Sequence, residues 1–342
     1  MKNLLLNMLV CVLAAALCSC NHKELCYHHP HIASIKVEFN WKDAPEADPV
    51  GMCAFFYPIE GEVAPMRRFD FQNKEGGKID IQVGKYRVLC YNNDTEIVLM
   101  RGTDNFDTHE AYTRNCDIFE TIYGSSARSS APRAAGAEDE RVVLSPDMMW
   151  GCTAFDVEIT DNGVSYICIP ESEKDEWVGK PAVQTERVIT LYPHELICTY
   201  TYEIRNVKGL SRVSQMCGSI TGMAPSLLFH DESLGKECVT VPFEAHAGDA
   251  TTIVGKFLTF GHNEENSEAH RMLLYVWMDN GEKYCYGTEG ERFNVTTQVN
   301  TAPDKRHVHI IIDGLDLPKP IGGGNMDATI DDWNEINEDI HM

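Results

Sequence analysis

The 342-residue chain is short of positive charge: 29 lysines and arginines stand against 52 aspartates and glutamates, a formal net charge of −23. A body this acidic repels a phosphate backbone, and no basic stripe with interleaved aromatics interrupts it, so nucleic acid is excluded as a partner. After residue 20 no apolar run approaches the roughly 18 residues of a membrane helix. The cysteines include no Cys-x-x-Cys pair of the zinc-knuckle or redox kind. Catalytic motifs are also missing: there is no G-x-S-x-G elbow and no phosphate-binding G-x-x-x-x-G-K-[ST] loop. His109-Glu110 has Thr113 where a zinc protease needs its second histidine, and His194-Glu195 has Cys198 there. Nothing in the sequence calls for a cofactor. With 52 acidic residues a glycosidase carboxylate pair is neither supported nor excluded.

What is present begins at the N-terminus. Lys2 precedes an apolar run from Leu4 to Leu17, broken only by Asn7, and the run closes at Leu17-Cys18-Ser19-Cys20. A basic start, an apolar core too short to span a bilayer and a small residue before a cysteine make a bacterial lipoprotein signal. Ser19 before Cys20 fits that small residue, whereas Leu17 before Cys18 does not. Residues 1–19 are therefore the expected signal peptide, and Cys20 the expected lipid-bearing first residue of the mature chain. Its acyl chains tie the body to a membrane at roughly 0.8 kcal/mol per buried methylene. Loss of Lys2 moves the formal charge from −23 to −24. Ten cysteines remain, from Cys26 to Cys285, mostly inside apolar runs where a free thiol packs as a small hydrophobe. An exported chain also permits a disulfide or two among them.

The dominant period is two. Ile35, Val37, Phe39 and Trp41 alternate with polar neighbours, as do Leu196, Cys198, Tyr200, Tyr202 and Ile204. Phe155, Val157 and Ile159 lead into Asp161-Asn162-Gly163 and a return over Val164–Ile169, a hairpin with a type I′ turn. Met272–Met278, Asp279-Asn280-Gly281 and Lys283–Tyr286 predict a second hairpin. Further strands are expected at Met52–Tyr57, Lys78–Val83, Lys85–Tyr91, Arg141–Leu144, Val188–Tyr192, Val239–Phe243, Thr252–Phe260 and His307–Ile312. This spacing implies an all-β chain of antiparallel β-sandwiches, two in tandem for this length. One irregular helix is expected over Asp107–Tyr123 and a turn near Ala269. Ser125–Glu140, rich in Ser, Ala, Gly and charge, reads as a mobile surface loop that buries no face. The polar Pro170–Gln184 stretch marks the join, giving domains 20–178 and 179–342. A terminal segment, 325–342, follows the joint at Pro318–Gly324 and reads as a detachable strand or a short amphipathic helix.

His22, His28, His29 and His31 lie in an extended arm where side chains do not converge, so a packed or solvated arm is expected and no metal. His307 and His309 share a strand face without a third ligand. Trp41, Trp150, Trp177, Trp277 and Trp333 fall one per region, which favours packing over a shared sugar-stacking platform.

The N-terminal block is more specific. It runs Cys26-Tyr27-His28-His29-Pro30-His31, Val37-Glu38-Phe39-Asn40-Trp41, Gly51-Met52 and Tyr57-Pro58. Gly76-Gly77, Gly84-Lys85-Tyr86 and Cys90-Tyr91-Asn92-Asn93-Asp94-Thr95-Glu96 continue it. These residues resemble the DUF5119 family of Bacteroidetes lipoproteins and, more distantly, fimbrillin-like and fimbrial-anchor proteins of that phylum. The resemblance implies two transthyretin-like or immunoglobulin-like sandwiches, a lipid anchor in the outer membrane and a C-terminal strand that joins a neighbouring subunit. Around Ile330-Asp331-Asp332-Trp333 the tail is similar to such strands, so Ile330, Trp333 and Ile336 are the expected partner-contact residues. In stalk subunits an arginine-directed cut near the N-terminus removes the lipid. Here no arginine lies between Cys20 and Arg67, which already follows two expected strands, while Arg128 and Arg133 sit in the mid-domain loop. The resemblance thus implies a non-enzymatic, surface-exposed fimbrial anchor, accessory or adhesive subunit that keeps its lipid. The alternative is a surface glycan-binding lipoprotein of a polysaccharide-uptake system. A hydrolase comes third, for want of a motif.

Overall fold

A computed structural model describes residues 31–59, 64–119, 131–176, 182–184, 187–264, 269–318 and 333–336. The chain is mostly β, in several sheets. Cys20, the His22–His29 cluster, Trp177 and Ile330 lie outside the described residues.

Alternation in the first strand, Ile32–Phe39, buries Ala33, Ile35, Val37 and Phe39 on one face. This strand pairs antiparallel with Gly76–Gln82 and parallel with Val188–Leu191. Its apolar face shares a core with a second sheet, which runs Ala182–Gln184, Val164–Ile167, Trp150–Ile159, Gly84–Asn92, Met52–Pro58, Arg67–Phe71. Met52–Pro58 is apolar on both faces because both are covered. Met52, Ala54 and Phe56 enter the inter-sheet core, while Cys53, Phe55 and Tyr57 meet Leu227, Phe229 and Phe260 on the other side.

A second pair of sheets holds the C-terminal core. Four strands run His246–Ala247, Ile253–Thr259, Cys198–Lys208, His307–Asp316. Six run Asn334–Ile336, Lys283–Tyr286, Met272–Met278, Val213–Met223, Val239–Glu244, Arg141–Val142. Tyr200, Tyr202, Ile204, Val241, Phe243 and Leu274 are among the residues that interlock between them. Within the six-stranded sheet Gly218 is required. A Cβ there would stand 2.2 Å from the Phe243 ring and 2.7 Å from the Leu273 carbonyl oxygen.

The two sheet pairs are stitched along a seam. A small sheet joins Leu99–Arg101 and Glu110–Tyr112 to Ser226–Leu228. His109 is fully buried there, its Nδ1 2.7 Å from the Tyr57 hydroxyl and its Nε2 3.3 Å from that of Tyr91. Burial, with the Arg68 charge adding to it, lowers its pKa from 6.5 to about 4.

Several expectations are corrected. Asp107–Tyr123 is not one helix: a 3₁₀ turn at Phe106–Thr108 gives way to the strand Glu110–Tyr112, whose Ala111 enters the seam core. Four pairings are parallel, so the sheets are mixed rather than purely antiparallel. Strands beyond residue 178 still belong to the N-terminal sheets, as Val188–Leu191 and His194–Glu195 do through Ile32–Phe39 and Trp150–Ile159. In the 125–140 loop the described part does bury residues: Ala134 and Ala137 pack beside Tyr275, and Arg133 donates to the carbonyls of Ala137 and Glu140. Phe155 faces outward because Asp156 takes a positive φ of 50° and the register with Gly84–Asn92 shifts beside it. The 161–163 hairpin forms without a positive φ. The Thr160 hydroxyl accepts from the amides of Asn162 and Gly163 instead. At the second hairpin only Gly281 goes left-handed, with φ 87°.

Candidate functional site

Two places gather chemistry. The first is the outer edge of the six-stranded sheet. Asn334–Ile336 pairs in parallel with Lys283–Tyr286, Asn334 opposite Tyr284, Glu335 opposite Cys285 and Ile336 opposite Tyr286. The tail is thus a strand at this point, seated on the chain's own sheet. Trp333 anchors it by stacking on Phe119 with centroids 5.2 Å apart and planes 15° apart. Trp277 and Tyr275 meet its ring edge-on at 4.9 and 5.4 Å, and the Lys283 ammonium lies 5.7 Å from its centroid. Ile336 is half-buried against the C-terminal core. Of the expected contact residues, Trp333 and Ile336 therefore fall on one docked segment. The tryptophans are not scattered singly, since Trp277 meets Trp333 and Trp41 meets Trp150 edge-on at 6.5 Å.

The second place is a cleft of about 290 Å³ between the sheet pairs, lined among others by Asp43, Trp150, Glu171, His194, Arg306 and His307. His194–Glu195 is brought to it by pairing with Trp150 and Gly151. His194 Nε2 lies 2.9 Å from Glu232 and 3.8 Å from Glu171. Lys174 approaches Glu171 at 2.5 Å and Glu232 at 3.5 Å, and Arg306 reaches Glu232 at 3.0 Å. Burial raises the Glu232 pKa, but hydrogen bonding to His194 and the His194, Lys174 and Arg306 charges outweigh it, leaving about 2. Glu232 carries a φ of 57°, a conformation costly for a residue with a side chain.

Glu171, His194 and Glu232 bring ligand atoms within 4.8 Å of one another. Lys174 and Arg306 already neutralise both carboxylates, so a divalent cation would have to displace an ammonium. The cluster reads as an ion-pair clamp across the seam, not as a metal centre. His307 stands at the rim between Glu195 and Asp304, each at 3.0 Å, while His309 faces Thr201. Sequence reasoning missed this cleft because its residues are far apart along the chain and match no motif.

A β-rich chain of several packed sheets, with one edge covered by the segment Asn334–Ile336, defines the class: a mostly β protein. The profile of DUF5119, a domain of unknown function, matches residues 19–244, and the chain belongs to that family. It is similar to "Putative fimbrium anchoring subunit Fim4B" of Bacteroides ovatus, 22% identical over 93% of this chain and 92% of that protein. A solved structure described as a "putative adhesin" from Bacteroides ovatus shares the fold, with a TM-score of 0.53 and 20% identity over 85% of this chain and 95% of that one. The fimbrial anchor protein Mfa2 from Porphyromonas gingivalis aligns at a TM-score of 0.45 and 11% identity, over 82% of this chain and 91% of its own.

Proposed function

We propose that this protein is a non-enzymatic subunit of a surface fimbrium, in an anchor, accessory or adhesive role, held to the outer membrane by lipid on Cys20. It is built as two transthyretin-like sandwiches in tandem, and the sheet pairings favour a join after Glu195. It contacts its neighbour by strand complementation: residues 325–342 leave the Lys283–Tyr286 edge and complete a neighbour's sheet, with Ile330, Trp333 and Ile336 as apolar contacts. The observation that carries this reading is the docking of Asn334–Ile336 as a parallel strand on the Lys283–Tyr286 edge, through three residue pairs among the described residues. A strand that covers a sheet edge through backbone pairing occupies the place a neighbour's strand could take.

Deleting 325–342 is expected to leave a folded, membrane-bound protein that no longer joins an assembly. Native envelopes blotted unboiled and boiled should show a high-mass species that collapses to monomer on heating, because a completed sandwich core opens slowly. Co-purification of the truncated chain with partners at full yield would defeat the proposal. The glycan-binding reading draws on a different feature, Trp150 among the carboxylates and Arg306 of the cleft, a combination able to stack and hydrogen-bond a sugar. Retardation on mixed-polysaccharide affinity gels, abolished by Trp150→Ala, would favour it over the fimbrial one.

A further inference from the structure

The strand pairing brings together cysteines that the sequence keeps apart. Cys90 and Cys152 are directly opposed on neighbouring antiparallel strands, with sulfurs 3.4 Å apart. Cys168 lies just beyond the strand Val164–Ile167, which pairs with the Cys152 strand. It packs against the core that holds Cys90 and Cys152, where its thiol and that of Cys152 influence each other's ionisation. Cys152 is thus the shared neighbour of two thiols. Opposed residues of an antiparallel pair have Cα atoms about 4.5–5.5 Å apart, inside the roughly 4.4–6.8 Å a disulfide accepts. Access differs along the row: Cys90 is wholly buried and Cys152 nearly so, whereas Cys168 keeps partial exposure.

We propose that Cys90, Cys152 and Cys168 form a disulfide-exchange site in which Cys152 is the hub and Cys168 the entry thiol. The oxidant is a disulfide, small-molecule or protein, written RSSR. Cys168, as thiolate, attacks one of its sulfurs, and RS⁻ leaves and takes up a proton. Cys152 then loses its proton and attacks the Cys168 sulfur, expelling the second RS⁻. Two protein thiols are oxidised and one RSSR becomes two RSH. Cys90 can attack Cys152 in turn, forming the cross-strand disulfide and returning Cys168 to the thiol, with no net redox change.

The consequence reaches the cleft. Cys168 stands three residues before Glu171, and Cys152 two after Trp150. A Cys152–Cys168 bond ties the Glu171–Glu176 turn to the Trp150–Ile159 strand, whereas a Cys90–Cys152 bond leaves that turn to its ion pairs. Burial raises the pKa of Cys152, while Cys168 is raised first by its interaction with the Cys152 thiol and then by burial, so exchange in the folded protein is slow.

The test uses the full lipoprotein, reduced, then exposed to oxidised glutathione under native conditions and mapped by mass spectrometry without reduction. The wild type should lose two thiols and yield peptides joining 152 to 168, or 152 to 90. Cys152→Ala should instead trap glutathione on Cys168, for want of the resolving thiol. Should that variant misfold, Cys168→Ser serves: the Cys90–Cys152 bond should form at least tenfold more slowly than wild-type oxidation. Ten free thiols after exposure, a disulfide elsewhere, or an undiminished rate in Cys168→Ser would overturn the proposal.

Discussion

Trp333→Ala isolates the docking of the terminal strand. The indole has four ring partners within reach of interaction: Phe119, Trp277, Tyr275 and the Lys283 ammonium. Aromatic pairs contribute about 0.5–1.5 kcal/mol each beyond burial, and an exposed cation over a ring about 0.5–1. Against this stands the indole Nε1, buried without an acceptor among the described residues, a penalty of about 1–3 kcal/mol that the alanine removes. Before the apolar area covered by the ring is added, these terms leave a net loss of about 2 kcal/mol, which multiplies the undocked population roughly 30-fold or more. Because Asn334–Ile336 is the outer strand of its sheet among the described residues and the strands behind it pair independently of it, the loss falls on local opening and not on global unfolding. Hydrogen exchange should therefore quicken at the amides of residues 283–286, with the melting temperature within a degree or two of wild type. Trp333→Phe, which keeps a ring and sheds the orphan N–H, should exchange at close to the wild-type rate. Unchanged exchange in the alanine variant, or a melting temperature that falls with it, would refute the argument that this strand is held separately.

Three further outcomes follow from the cores and the cleft. His109 has a folded pKa of about 4 against 6.5, so its contribution is complete above pH 6.5 and is lost as pH falls toward 4; urea unfolding should show about 2 kcal/mol less stability at pH 5 than at pH 7 from this group. His262, lowered to about 4 by burial and the neighbouring His270, steepens the same window. Glu232, lowered to about 2, acts in a separate one, its stabilisation present above pH 4.5 and lost as pH falls through 2. Gly218→Ala drives a methyl into the Phe243 ring and should cost about 1–3 kcal/mol in thermal unfolding. Glu232→Ala removes the acceptor shared by His194 and Arg306 while keeping a Cβ at positive φ, and should cost about 2–3 kcal/mol; a neutral result would mean the clamp adds nothing.

Elements with clean alternation are legible in the amino-acid sequence. Lys283–Tyr286 and Met272–Met278 appear with the expected ends, because their side chains meet one sheet face or two covered ones. The strand Val213–Met223 escapes such a reading although it lies inside the six-stranded sheet, pairing on both sides. Its Gly218, Ser219 and Gly222 weaken any apolar period, yet Gly218 is there because Phe243 fills the space a side chain would take. The helix expected over Asp107–Tyr123 fails for the opposite reason, tertiary pairing with Ser226–Leu228 overriding local pattern. Of the candidate site, Trp333 and Ile336 are legible as apolar residues in an acidic tail. The clamp of Glu171, His194, Glu232 and Arg306 is not, because only the fold makes those four neighbours.

The remaining edges of the C-terminal sheets bear on why the terminal strand matters. A free edge invites pairing with another chain, and proteins close such edges with short strands, proline, lysine or side-chain plugs. All four devices are present. Arg141–Val142 and His246–Ala247 are edge strands of two residues each. Beyond the reach of Arg141–Val142, Val239–Glu244 carries Pro242, which has no amide to offer. On Ile253–Thr259, Lys256 sits next to the stretch where the Ser145 hydroxyl takes both the amide and the carbonyl of Leu258. The ten-residue outer strand His307–Asp316 is plugged at its middle, where the Gln298 side chain donates to the Ile311 carbonyl and accepts from its amide. Val239–Glu244 and Ile253–Thr259 are each covered in part by a two-residue strand, and Lys283–Tyr286 by a ladder of three residue pairs, among the described residues, with Asn334–Ile336. A plug of side chains can only block, whereas a strand can be replaced by another strand. If the tail serves merely as one more plug, replacing its pairing with a polar side-chain cover at the half-buried Tyr284 should leave assembly untouched; if it is the exchangeable element, that change should abolish assembly while the folded monomer persists.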